Sequence, residues 1–104
     1  VAAVTQVTVL GGGQLGWMLG LAGIPLGLTF RFLDPSPEAP ARVVGVLVVG
    51  GLDDIEAATA AAKGATVVTF EWEGVPAATA RALARQTVTA GTRANRRFRQ
   101  YIAL

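Results

Sequence analysis

Residues 4–10, VTQVTVL, run directly into GGGQLGWMLG at 11–20. A β-branched run that enters a glycine turn and leaves as an apolar helix restricts the chain more than any other feature. Gly11, Gly13 and Gly16 stand at the spacing Gly-x-Gly-x-x-Gly. In that pattern the first glycine permits the turn, the second lets backbone approach an anion, and the third lets helix pack on strand. The same spacing also serves as a plain strand-to-helix connection. The turn therefore reads as a phosphate cradle, a relic of one, or a tight bend.

The rest of the chain alternates in the same way. A helix is expected over 14–24, with Leu15, Met18, Leu19 and Ala22 on the core face. Strands follow at 28–33 and, after the turn DPSPEAP, at 43–49. Asp53 is expected to cap an alanine-rich helix that ends at Lys63 and Gly64. A fourth strand reads at 65–70, and Pro76 opens a helix to about Arg85. A short strand around Thr87–Ala90 and a helix from about Arg93 complete the pattern. Continuous apolar strands alternating with helices predict a doubly wound, Rossmann-like parallel α/β sheet in three layers, α/β/α. Ligands of such sheets sit beyond the carboxyl ends of the strands. The turns there are Gly11–Trp17, Gly50–Asp54 and Phe70–Pro76. Residues 1–104 read as a single domain.

Composition removes several kinds of chemistry. Hydrophobic residues make up 52% of the chain and charged residues 15%, enough apolar material for a core. There is no cysteine and no histidine. That leaves no disulfide, thiolate or imidazole chemistry, and no metal site is expected. Any acid or base must come from seven carboxylates, Lys63 or Tyr101. No catalytic residue is assigned. No apolar run approaches the ~18 residues of a membrane span, and the start lacks a secretory pattern, so the reading is of a soluble, cytoplasmic protein. All six arginines from position 81 onward lie in a stretch without acids. A solvated basic helix explains this more simply than nucleic-acid binding does.

Asp34, ending the second strand, stands where a dinucleotide fold places its ribose-binding acid. The wider context points elsewhere. GGGQLGWML, LAGIPLGLTFRFLDPSPEAPA and TFEWEGVP together resemble the N-terminal, pre-ATP-grasp domain of carboxyaminoimidazole ribonucleotide synthetase, a ligase of purine biosynthesis. The resemblance is close over 7–42, clear at 66–76 and weak from about 86. It implies a domain that supplies part of a ribonucleotide site, in a family that carboxylates aminoimidazole ribonucleotide with ATP, magnesium and bicarbonate. By that resemblance Gly13, Gln14 and Leu15 face the ribonucleotide, while Glu71 and, as a second candidate, Glu73 accept hydrogen bonds from it. The ATP-grasp domains have no counterpart in this sequence. No ATP, magnesium or other cofactor is therefore expected on this chain alone, nor ligase activity.

The chain departs from the family where the turns emerge. Arginine is usual at Trp17, an acid and a tyrosine near Gly51–Leu52, phenylalanine at Trp72 and asparagine at Gly74. Losing the arginine removes a fixed charge and a forked donor, so ribonucleotide binding is expected to be weak. Trp17, Leu21, Leu52 and Trp72 read as an outward apolar patch at the ligand mouth. The sequence-level reading is a non-catalytic protein-binding module, natural or engineered, acting through that patch on a protein partner or a second copy of itself. Its alternative is the ribonucleotide-binding fragment of the ligase.

Overall fold

The computed structural model describes residues 5–88, with side chains described through Arg85. Strands β1 (Gln6–Leu10), β2 (Thr29–Asp34), β3 (Val46–Val49) and β4 (Val67–Phe70) form one parallel sheet in the order β3-β2-β1-β4. Val9 stands opposite Phe32 on β2 and Thr69 on β4, and Phe32 opposite Leu47 on β3. Helices α1 (Gln14–Gly23), α2 (Ile55–Ala62) and α3 (Ala77–Val88) cover it, with 3-10 turns at Ile24–Leu26 and Pro40–Val43. Thr87 and Val88, expected in a short strand, continue α3 instead. Thr89, Ala90 and the helix expected from Arg93 lie outside the described residues.

Strand alternation divides the core. Val7, Val9, Phe30 and Phe32 point to the α1 face, where Ala41 and Trp17 pack on them. Leu10, Leu33 and Val68 point to the other face, against Ala58, Ala61, Ala62 and Leu83 of α2 and α3. The expected three layers are present. Two buried hydroxyls are paired with main-chain carbonyls: that of Thr8 donates to Ala61 O and that of Thr79 to Leu52 O, each at 2.7 Å. Arg31 donates to the carbonyls of Ala60, Ala61 and Lys63, which closes the exposed end of α2. The helix is capped at its start by Asp54, not Asp53: the Asp54 carboxylate accepts from Ala57 N at 3.1 Å.

The first helix faces the sheet differently from the sequence reading. Its buried residues are Gly16, Gly20 and Gly23. Leu15, 63% exposed, and Met18, Leu19 and Ala22 face outward. The stacked rings of Phe30 and Phe32, 5.9 Å apart, take the volume that leucines would otherwise fill. A Cβ on Gly23 would collide with the Phe30 ring, and one on Gly20 with the Val44 side chain. Only a glycine stripe lets the helix axis come this close. Trp17, expected outward, is partly buried against the Val9–Phe32 cluster as a consequence.

Two substitutions separate these stripes. Alanine is intrinsically the better helix former by about 1 kcal/mol. Gly20→Ala should nevertheless lower stability by about 1–3 kcal/mol through overpacking. Leu15→Ala should change it by no more than about 0.5 kcal/mol. Urea unfolding midpoints check both; a costly Leu15→Ala with a harmless Gly20→Ala would restore the leucine stripe as core.

Candidate functional site

The order β3-β2-β1-β4 puts the topological switch between β1 and β4, where successive connections leave in opposite directions. A crevice opens there beyond the strand ends. The glycine turn and Glu71, the residue after β4, both lie at it. Gly11 has φ +108°, a conformation open to glycine, and its N–H donates to Leu33 O at 2.7 Å.

The next amides are met by side chains. Gly12 N donates to Asp34 Oδ2 at 2.9 Å. Gly13 N and Gly16 N both donate to Glu71 Oε2, at 2.9 and 3.1 Å. Gly13 is the N-cap of α1 and has no side chain to cap with; no acid stands in the first turn. Glu71 performs that task from another strand, placing a negative charge at the positive end of the helix. It also crowds position 13, where a Cβ would lie 2.6 Å from Glu71 Oε1. The main chain completes the clamp: Glu71 N donates to Leu10 O at 3.0 Å.

The sequence-predicted residues divide accordingly. Gly13 and Glu71 meet in direct contact. Gln14 and Leu15 follow on the first turn, exposed, and their N–H groups have no acceptor among the described residues. Glu73 is exposed on the turn beyond β4 and bonds to none of the others. Asp34 is a turn anchor as well: its second oxygen accepts from Ser36 N at 2.9 Å. Neither this role nor the capping by Glu71 was legible in advance. The available signal was that an acid ends each strand flanking β1.

The expected apolar patch is reorganised. Leu52, 7% exposed, belongs to the core between α2 and α3 and presents no side chain at the mouth. It was misplaced because a turn residue between a glycine pair and two aspartates looks exposed, whereas the fold turns it inward. Trp17 lies on the sheet. Trp72, 56% exposed, and Leu21 remain at the surface. Among the described residues, no group of three or more His, Cys, Asp or Glu side chains is placed to hold a metal ion, and no helix is long and apolar enough to cross a membrane.

Sheet order and glycine turn together define a Rossmann-like α/β domain. A family model for the ribonucleotide synthetase preATP-grasp domain matches residues 4–96, and the chain belongs to that family. N5-carboxyaminoimidazole ribonucleotide synthase of Pseudomonas aeruginosa is 49% identical over 74 residues, 71% of this chain and 21% of that protein. The crystal structure of N5-carboxyaminoimidazole ribonucleotide synthetase from Thermus thermophilus matches with a TM-score of 0.73 and 57% identity, over 77% of this chain and 22% of that one. The chain thus spans about a fifth of the length of these relatives. A short-chain dehydrogenase/reductase from Veillonella parvula, solved with NADP, shares the fold alone: TM-score 0.62 at 19% identity, over 80% of this chain and 43% of that one.

Removing the clamp isolates its contribution. Glu71→Ala leaves two turn amides without their acceptor and should cost about 1–3 kcal/mol. Glu73→Ala should stay within about 0.5 kcal/mol. Amide exchange at Gly13 and Gly16, followed by NMR, should accelerate at least ~10-fold in Glu71→Ala alone. Unchanged exchange at both glycines would show that the carboxylate does not hold the turn.

Proposed function

We propose that this domain forms part of the ribonucleotide site of an N5-carboxyaminoimidazole ribonucleotide synthase. The observation that carries the reading is the fixed carboxylate of Glu71 at the switch-point crevice. Oε2 is held by the Gly13 and Gly16 amides, whereas Oε1 accepts from no donor among the described residues. A carboxylate oxygen so oriented suits a substrate amine. The unpaired amides of Gln14 and Leu15, at the positive end of α1, suit the phosphate of the same molecule. Glu73 offers a second acceptor at the rim.

Binding and orientation are the chemistry these residues supply. In this reading ATP and magnesium, with the carboxylation they drive, belong to the remaining length of the longer synthases. The name shared by the relatives supports the substrate class. The absence of arginine at position 17 points to weak affinity for the isolated chain.

Calorimetry with aminoimidazole ribonucleotide tests this assignment. The parent should bind, and Glu71→Gln, which keeps an acceptor for the turn but removes the charge, should bind at least ~10-fold more weakly, equivalent to about 1.4 kcal/mol. A parent that does not bind, or a variant that binds equally well, would overturn the reading.

Exposure of Trp72 favours a second role for the same mouth as an apolar contact surface. We infer that it associates with a second copy of the chain. This is narrower than the patch read from the sequence, from which Leu52 and Trp17 are withdrawn. Trp72→Ala should weaken self-association measured by analytical ultracentrifugation at least ~10-fold without lowering Tm. A parent that stays monomeric at millimolar concentration rules the surface out.

A further inference from the structure

The turn after β1 has the glycine spacing of a dinucleotide-binding loop, and Asp34 stands where such a fold keeps its ribose-binding acid. In that arrangement the second glycine bares the backbone so that a pyrophosphate can lie against it, and the acid faces the ribose hydroxyls. Here both places are filled from within the chain. A Cβ on Gly13 would come 2.6 Å from Glu71 Oε1, and one on Gly16 would come 2.8 Å from Glu71 Oε2. The carboxylate therefore fills the space over the glycines. Asp34 is engaged too, accepting from Gly12 N at Oδ2 and from Ser36 N at Oδ1, each at 2.9 Å.

What fills the space is charged, and little stands by to balance a second anion. Neither residues 1–30, which carry the glycine turn, nor residues 64–80, which carry Glu71, contain a lysine or arginine. Arg42 is the basic residue nearest the turn through the chain, since its neighbour Ala41 donates to Gly12 O. Its guanidinium is turned to the carbonyls of Glu38 and Ala39. A diphosphate laid on Gly13 would thus meet the Glu71 carboxylate at contact distance. A single phosphate has another place, farther along the helix start, at the amides of Gln14 and Leu15.

We propose that Glu71 sets the specificity of this crevice against diphosphate groups, those of dinucleotides included. Its carboxylate occupies the seat of the pyrophosphate, so a molecule with one phosphate and an amine is admitted and one with a diphosphate bridge is turned away. For the molecule admitted, this rests on the ribonucleotide reading above; for the group excluded, it rests on the geometry of the turn. The two roles respond to one substitution with opposite signs. Glu71→Gln keeps an acceptor for Gly13 and Gly16 but removes the charge and adds an N–H donor. It should weaken binding of the amine and strengthen binding of a diphosphate.

Inorganic pyrophosphate is the probe, titrated into the full chain and followed through the amide NMR signals of Gly13, Gln14 and Leu15. The parent is compared with Glu71→Ala, Glu71→Gln and Glu73→Gln. Glu71→Gln leaves the turn amides partnered, so it decides the matter even where Glu71→Ala fails to fold. Glu73→Gln removes the same charge from an exposed position without touching the turn. Both Glu71 variants should bind pyrophosphate at least ~10-fold more tightly than the parent. Glu73→Gln should gain no more than ~2-fold, because solvent screens an exposed charge. Equal gains in Glu71→Gln and Glu73→Gln would show that net charge alone governs, and would overturn the proposal. So would a parent that binds pyrophosphate as tightly as the Glu71 variants do. A parent that shows the expected pyrophosphate pattern but does not bind aminoimidazole ribonucleotide would defeat the ribonucleotide reading and leave the exclusion standing.

Discussion

The domain turns on one charge-assisted contact, the Glu71 carboxylate on the amides of Gly13 and Gly16. It joins the end of β4 to the start of α1 across the switch point, two places far apart in sequence. Asp34 does the same from β2 through the Gly12 amide. The turn after β1 is thus clamped by carboxylates from the strands on both sides. Glu71 satisfies N–H groups that a helix start leaves without internal partners, where the helix dipole favours negative charge. Where a dinucleotide fold offers such amides to a pyrophosphate, this chain meets two of them with its own side chain.

That clamp is compatible with the rest of the core only because α1 lies close to the sheet. A Cβ on Gly16 would come within 2.8 Å of Glu71 Oε2 and 3.1 Å of the Gly11 carbonyl. Gly20 and Gly23 continue the same close approach over Val44 and Phe30. The glycine stripe, the paired phenylalanines and the inward lean of Trp17 are therefore one packing solution. Its counterpart is an α1 surface rich in leucine, which forms one wall of an apolar groove beside β4.

On the other face the layers are tied by hydrogen bonds from side chains to main-chain carbonyls. Thr8 reaches Ala61, Thr79 reaches Leu52, and Arg31 gathers the last carbonyls of α2. These bonds fix how α2 and α3 sit over β1 and β2. The Thr79 bond also ties the Gly50–Asp54 turn to α3, with Leu52 buried in the core beneath it.

Strand and helix alternation, the parallel α/β class and the position of the glycine turn were legible in the sequence, because β-branched runs, glycine and proline act through local backbone preferences. So was the family resemblance, carried by contiguous motifs. The resemblance put Gly13 and Glu71 at one site, but the hydrogen bond between them was not legible in the sequence. Periodicity found an apolar stripe on α1 but chose the wrong face, since leucines and glycines both recur at helical intervals and only the Phe30 and Phe32 rings opposite decide which fits. Asp53 was the expected cap, and the path of the turn put Asp54 there instead. Whatever depends on neighbours along the chain was settled by residue order alone. The faces, the caps and the clamp were settled by the fold, because they depend on which atoms the sheet brings within hydrogen-bond and van der Waals reach.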